Sequence, residues 1–175
     1  MGSPGIKRRL NRIFLRLYSV FGPQHWWPAD SSFEVIVGAI LTQSTNWSNV
    51  EKAIRSLKKK KCLNPRGLLK LSPGKLGSLI KSAGYYNIKA ARLKNFLKFF
   101  FDFYAADIKR MSSQDLVTLR NQLLMVKGIG PETADSILLY ALHKPVFVID
   151  AYTKRIFSRH RLLAEDVTYE QAQDI

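Results

Sequence analysis

A single cysteine, Cys62, stands among 175 residues. One thiol excludes an internal disulfide framework and any all-cysteine metal site built from this chain alone. Long apolar runs are missing too, and none approaches the ~18 residues that a membrane-spanning helix needs. The opening MGSPGIKRRLNRIF is basic, but Arg12 and Arg16 interrupt the apolar positions that follow and no small-residue cleavage site comes after them, so it does not read as a signal peptide. Sustained period-two alternation is absent. PVFVI is apolar and β-branched but stands alone, which leaves no partner for a sheet. Acidic residues are scarce, with 13 Asp and Glu against 28 Lys and Arg, a formal charge of +15. What remains is a folding sequence, 46% hydrophobic, of the all-α class. An intracellular monomer is expected, in the cytoplasm or nucleoid if the source is bacterial or archaeal, with no membrane partner.

The excess positive charge calls for a polyanion. It is grouped: Lys7, Arg8, Arg9, Arg12 and Arg16; then Lys58, Lys59, Lys60 and Lys61; then Lys89, Arg92, Lys94 and Lys98. Between these groups the chain reads as a succession of helices. Leu10, Ile13, Phe14, Leu17 and Phe21 form a helical stripe that GPQHWWPAD ends. Ser31 with Glu34 has the spacing of a capping box before FEVIVGAILTQ, which is apolar nearly all round and reads as a buried central helix. Asn46 can cap a helix striped by Trp47, Val50, Ile54 and Leu57, and Asn64-Pro65 and Ser72-Pro73 each place a cap before a proline. Gly84 suits a helix end, a Phe-rich helix is predicted over 87–104, Ser113 can open the next, and Thr168 with Gln171 can open another.

MVKGIGPETADSILLYAL, from Met125 to Leu142, departs from this plain pattern. Gly128 and Gly130 permit backbone torsions that a side chain would obstruct, and they expose main-chain N–H groups where a helix begins near Pro131. Such a terminus suits one phosphate of a nucleic-acid backbone and reads no sequence. A G-x-G alone is better explained by an ordinary αα-turn; here the basic charge and the flanking context reverse that balance in favour of phosphate, with Lys127, Gly128, Ile129, Gly130 and Thr133 as candidate contacts. Asp150, after VFVI, reads first as the cap of the helix AYTKRIFSR.

ILTQSTNWSNVEKAI, AGYYNIKAARL, VKGIGPETADSILLYAL and PVFVIDAYTKRI occur in that order between about Phe33 and Arg159. In this series they resemble the helix–hairpin–helix DNA glycosylases of the endonuclease III superfamily. WWPAD and GYYNIKA look most like the branch of 3-methyladenine DNA glycosylases. The resemblance implies a two-lobed helical fold. One lobe, 31–143, would be a six-helix barrel ending in the hairpin; the other, 1–30 with 144–175, would carry the catalytic Asp. It implies double-stranded DNA with a damaged base as partner, the base flipped into a pocket. Asp150 matches the family's catalytic carboxylate, and its service as a helix cap is compatible with that role because N–H donors hold it in place. Gln43 matches the residue that fills the vacated stack, and Tyr85 a second intercalating position. Trp26 and Trp27 could wall a pocket for an electron-poor base, with Thr45 and Asn46 at its mouth.

Bifunctional members carry an imine-forming Lys four residues after the first hairpin glycine, where this chain has Glu132. A monofunctional hydrolase acting on an alkylated purine such as 3-methyladenine is therefore expected. Two other readings stay open: a glycosylase for oxidised or deaminated pyrimidines, with or without lyase activity, and a non-catalytic hairpin module. No metal ligand set and no cofactor are expected within this chain. The [4Fe–4S] cluster of many relatives would require a cysteine-bearing tail beyond Ile175.

Overall fold

The computed structural model describes residues 4–24, 26–164 and 166–174. His25, within the expected break GPQHWWPAD, lies outside the described residues, as do 1–3, Glu165 and Ile175. The described residues are helical and contain no strand, as the missing alternation requires; VFVI before Asp150 belongs to neither helix nor strand. Among the described residues no helix is long and apolar enough to cross a membrane. The chain forms two compact units, Met1–Pro28 with Phe147–Ile175, and Ala29–Val146.

The larger unit is built around α2, Ser32–Leu41, in which Phe33 to Leu41 are all buried. Ser31 caps it, its hydroxyl accepting the Glu34 N–H at 3.2 Å. The expected box closes differently, however: the Glu34 carboxylate accepts the Asp30 N–H at 3.2 Å and pairs with Lys58 at 2.7 Å. Around α2 come α3, Trp47–Lys59; α4, Pro65–Lys70; α5, Pro73–Leu79; a 3₁₀ turn, Lys81–Ala83; α6, Tyr86–Tyr104; α7, Ile108–Ser112; α8, Leu116–Leu124; and α9, Pro131–Ser136. The last runs on as a π-helical turn, Ile137–Ala141. α2 packs against α6 and this π turn. Phe33 stacks on Phe100 at 6.4 Å, and Phe100 on Phe96 at 5.5 Å, with Leu93 and Leu97 buried beside them. Each such side chain withdrawn from water stabilises the fold by about 1.5–3 kcal/mol.

Caps fix where the helices start. Asn46, Asn64 and Ser72 cap α3, α4 and α5 as their sequence contexts suggest. Ser113 does not open α8. The short α7, capped by Asp107, occupies the preceding residues, so Ser113 ends that helix and Asp115 begins the next.

In the smaller unit, α1 spans Pro4–Phe21, α10 Ala151–Arg159 and α11 Tyr169–Gln173. α11 has a complete capping box of Thr168 and Gln171. Phe147 stacks on Phe157 at 6.1 Å, and Arg9 donates to the His160 carbonyl at 2.6 Å. Much of the apolar side of α1, including Phe14 and Phe21, is exposed.

Asp115 gives the fold a titratable handle. Its Oδ1 accepts the Thr118 N–H at 2.9 Å, and hydrogen bonds from Thr118 hold its carboxyl below the usual carboxylate range. A depressed folded pKa contributes stability that is complete above the unfolded value and is lost as pH falls through the folded one. Asp115→Asn should therefore reduce the difference in stability between about pH 6 and about pH 3, read by urea unfolding at each. An acid dependence identical to the parent's would show that this cap does not titrate with folding.

Candidate functional site

The hairpin lies between α8 and α9. Gly128 has φ +97°, a left-handed backbone that strongly favours glycine, and a Cβ there would overlap the Arg92 side chain. Gly130 differs from the sequence expectation. Its φ is −96°, which any residue adopts, and a Cβ would meet no heavy atom within 4 Å. Gly128 is thus required by torsion and close packing, whereas Gly130 leaves open space where α9 begins. α9 also starts without a side-chain cap. Among α2 to α11 only α6, entered through Tyr85, shares that feature; every other helix has its first turn bonded by a Ser, Thr, Asn or Asp side chain. A helix start without its own cap has N–H groups directed outward, the arrangement that accepts a phosphate oxygen.

The remaining hairpin candidates divide by burial. Lys127 is exposed, and its carbonyl accepts from Asn95 Nδ2 at 2.9 Å. Ile129 is buried, so its side chain is core, and its N–H bonds Val126 O at 3.0 Å. Thr133 is buried, its hydroxyl accepting from Gln43 Nε2 at 2.9 Å. Behind the hairpin, Arg120 of α8 forms a two-point ion pair with Asp135 of α9, at 2.7 and 3.2 Å. Asp135 is fully buried, which makes this pair a brace between the two hairpin helices that the sequence reading overlooked.

Gln43 is drawn onto the hairpin. Besides Thr133, its Nε2 donates to Gly128 O at 3.0 Å, and its Oε1 accepts from Arg92. Filling a gap in DNA would require it to exchange these bonds. Tyr85 is 69% exposed with a left-handed backbone, φ 44°, immediately after Gly84 at φ 68°. Thr45 and Asn46 are committed to the start of α3: Asn46 Oδ1 accepts the Asn49 N–H at 3.2 Å, and Thr45 Oγ1 accepts Asn49 Nδ2 at 3.3 Å.

Asp150 belongs to the smaller unit. It caps α10, its Oδ1 accepting the Thr153 N–H at 2.7 Å, and is half-buried. Trp26 is 68% exposed and Trp27 half-buried with φ 83°, so neither is a core residue.

The third basic group is a correction. Lys89 is buried and bonds main-chain carbonyls; Lys94 Nζ donates to Leu68 O at 2.8 Å and Leu69 O at 2.7 Å; Arg92 holds Gln43; Lys98 pairs with Asp102 at 3.0 Å. Burial lowers the pKa of Lys89 and Lys94 from the usual ammonium value, and Arg92 lowers that of Lys89 further. Lys89, Arg92 and Lys94 therefore tie elements of the fold together, whereas Lys98 makes an exposed pair within α6. In the first group Lys7, Arg8, Arg12 and Arg16 are exposed; in the second, Lys59, Lys60 and Lys61 are, while Lys58 bridges Asp30 and Glu34 at 2.8 and 2.7 Å. The lone Cys62 is buried, and burial raises its pKa.

Gly128→Ala should destabilise the chain by about 1–3 kcal/mol through torsional strain and overlap. Gly130→Ala should stay within about 0.5 kcal/mol. Urea unfolding of both variants checks the contrast.

Residues 37–175 match the HhH-GPD superfamily of base excision DNA repair proteins. A candidate DNA repair glycosylase of Methanocaldococcus jannaschii is 47% identical over 165 residues, 94% of this chain and 75% of that protein. Endonuclease III of Thermotoga maritima is 29% identical over 127 residues, 73% of this chain and 55% of its own length. The structure of H. pylori 3-methyladenine DNA glycosylase bound to 1,N6-ethenoadenine superposes with a TM-score of 0.79 at 30% identity, over 99% of this chain and 80% of that one. A trapped endonuclease III–DNA covalent intermediate gives 0.82 at 19% identity, over 96% and 75%, a likeness of fold. The chain belongs to the HhH-GPD superfamily of base excision DNA repair proteins, the family of the DNA glycosylases it resembles.

Proposed function

We propose that this chain is a DNA N-glycosylase that takes a damaged base out of the duplex and releases it by hydrolysis through Asp150. The observation that carries the reading is the carboxylate itself: Asp150 is half-buried and fixed by the Thr153 N–H, on a chain whose family is base excision repair. Cleavage of an N-glycosidic bond builds positive charge on the sugar, and a fixed carboxylate stabilises that charge and orients or activates water. The hairpin backbone at Gly128 and Gly130, with exposed Lys127, holds a phosphate without reading sequence. Gln43 and Tyr85 occupy the space that the flipped base leaves.

Two finer features belong to the same proposal. Glu132 stands where an imine-forming amine would be needed, and a carboxylate forms no imine, so the reaction is hydrolytic and leaves an abasic site. An alkylated purine is the favoured substrate. A cationic base stacks well on Trp26 and Trp27 and departs with little protonation, so one carboxylate suffices. The H. pylori glycosylase, with its bound ethenoadenine, supports this choice over a damaged pyrimidine.

Asp150→Asn keeps the shape of the side chain and removes its charge. It should slow base release by at least ~10²-fold while binding to lesion-containing duplex survives, measured by single-turnover kinetics and by titration of labelled DNA. Normal excision by this variant would refute the catalytic assignment. A panel of duplexes, each with one lesion, should show 3-methyladenine released in preference to thymine glycol or uracil; the opposite order would overturn the substrate choice alone.

A further inference from the structure

Lys89 is a charged residue that the core has taken in. It is 1% exposed, on the α6 face that also carries Leu93, Phe96 and Phe100. An ammonium withdrawn from water is a poor choice for filling space, since Met or Leu would fill the same volume without losing hydration. Its hydrogen bonds show what it gains there. Nζ donates to Leu41 O at 2.8 Å and to Ala83 O at 2.6 Å. Leu41 is the last residue of α2, and Ala83 the last of the 3₁₀ turn. Both carbonyls lie at helix ends, where the partial negative charge of the backbone accumulates and a cation is favoured.

Each tethered carbonyl is followed, two residues on, by a side chain read above as entering DNA. Gln43 follows Leu41, and Tyr85 follows Ala83. Both turns pass through left-handed backbone, at Ser44 with φ 52° and at Gly84 and Tyr85 with φ 68° and 44°. A left-handed Tyr persists only where its surroundings hold it. One turn further along α6, Arg92 bonds Gln43 Oε1, a contact that Gln43 exchanges on entering DNA, whereas the hold of Lys89 on the main chain of Leu41 stays in place.

We propose that Lys89 is a positioning residue for strand opening: a single buried ammonium fixes the ends of α2 and of the 3₁₀ turn to one another, so that Gln43 and Tyr85 enter the duplex as one rigid pair. This rests on the reading of those two side chains as the stack-filling residues. The role is separable from phosphate binding, which belongs to the hairpin, and from chemistry, which belongs to Asp150.

The test uses the full chain and a readout that needs no catalysis. The probe is a duplex with a tetrahydrofuran abasic analogue opposite 2-aminopurine, whose fluorescence rises when it is unstacked. Lys89→Met should lose most of that rise while the dissociation constant changes by less than about 3-fold, because phosphate contacts dominate affinity. Phe96→Leu, a core change on the same helix, should lower the melting temperature and keep the rise. A Lys89→Met protein that binds and gives the parental rise would overturn the proposal. The coupling can also be read with Lys89 intact, which covers a Lys89→Met variant that does not fold. If the pair acts as one body, Gln43→Ala or Tyr85→Ala alone should remove nearly all the rise that the double variant removes. Independent, additive losses would overturn the proposal, leaving the two residues as separate wedges. No loss from either would remove the wedge reading and the proposal together.

Discussion

The larger unit depends on the burial of α2. Nine consecutive residues, Phe33 to Leu41, are shielded from water, and a helix so enclosed cannot leave its end groups to solvent. Ser31 satisfies its start, and the Lys89 ammonium reaches the Leu41 carbonyl at its end. Because that second solution comes from a neighbouring helix, the segment after Leu41 is placed relative to α6. Gln43 then meets Arg92, Gly128 and Thr133. The packing of one apolar helix thereby sets the position of a polar side chain at the hairpin.

The hairpin shows how close packing shapes a turn. Arg92 lies where a Cβ of residue 128 would be, so that residue must be glycine. Its left-handed torsion then turns the chain toward α9, whose first residues have no side-chain cap. The Arg120–Asp135 pair keeps α8 and α9 together behind the turn.

Much of this was legible in the sequence where a feature is local. Caps depend on residues three apart, and Ser31, Asn46, Asn64, Ser72, Asp150 and Thr168 all cap the helices their contexts suggested. The misplaced start of α8 has the same cause in reverse: Ser113 and Asp115 are both good caps, and only the short α7 before them decides between the two. What the sequence hid was non-local. Lys89 and Lys94 read as surface charge because carbonyl partners of each, Leu41 and Leu68, lie 48 and 26 residues away. The signal for Lys89 was nonetheless present, since it falls four residues before Leu93 on an apolar stripe, where a lysine is out of place. Gly130 looks the same in sequence as a glycine needed for torsion, although its φ is one that any residue adopts.

The chemistry assigned to Asp150 and the absence of an amine at position 132 meet in one product analysis. A methylated duplex, incubated with the full chain and resolved both for free base and for strand length, should yield free 3-methyladenine with one abasic site for each base released. The strand should stay intact until alkali is added. Release without alkali of a strand ending in an unsaturated aldehyde, or no release of base at all, would contradict a hydrolytic glycosylase.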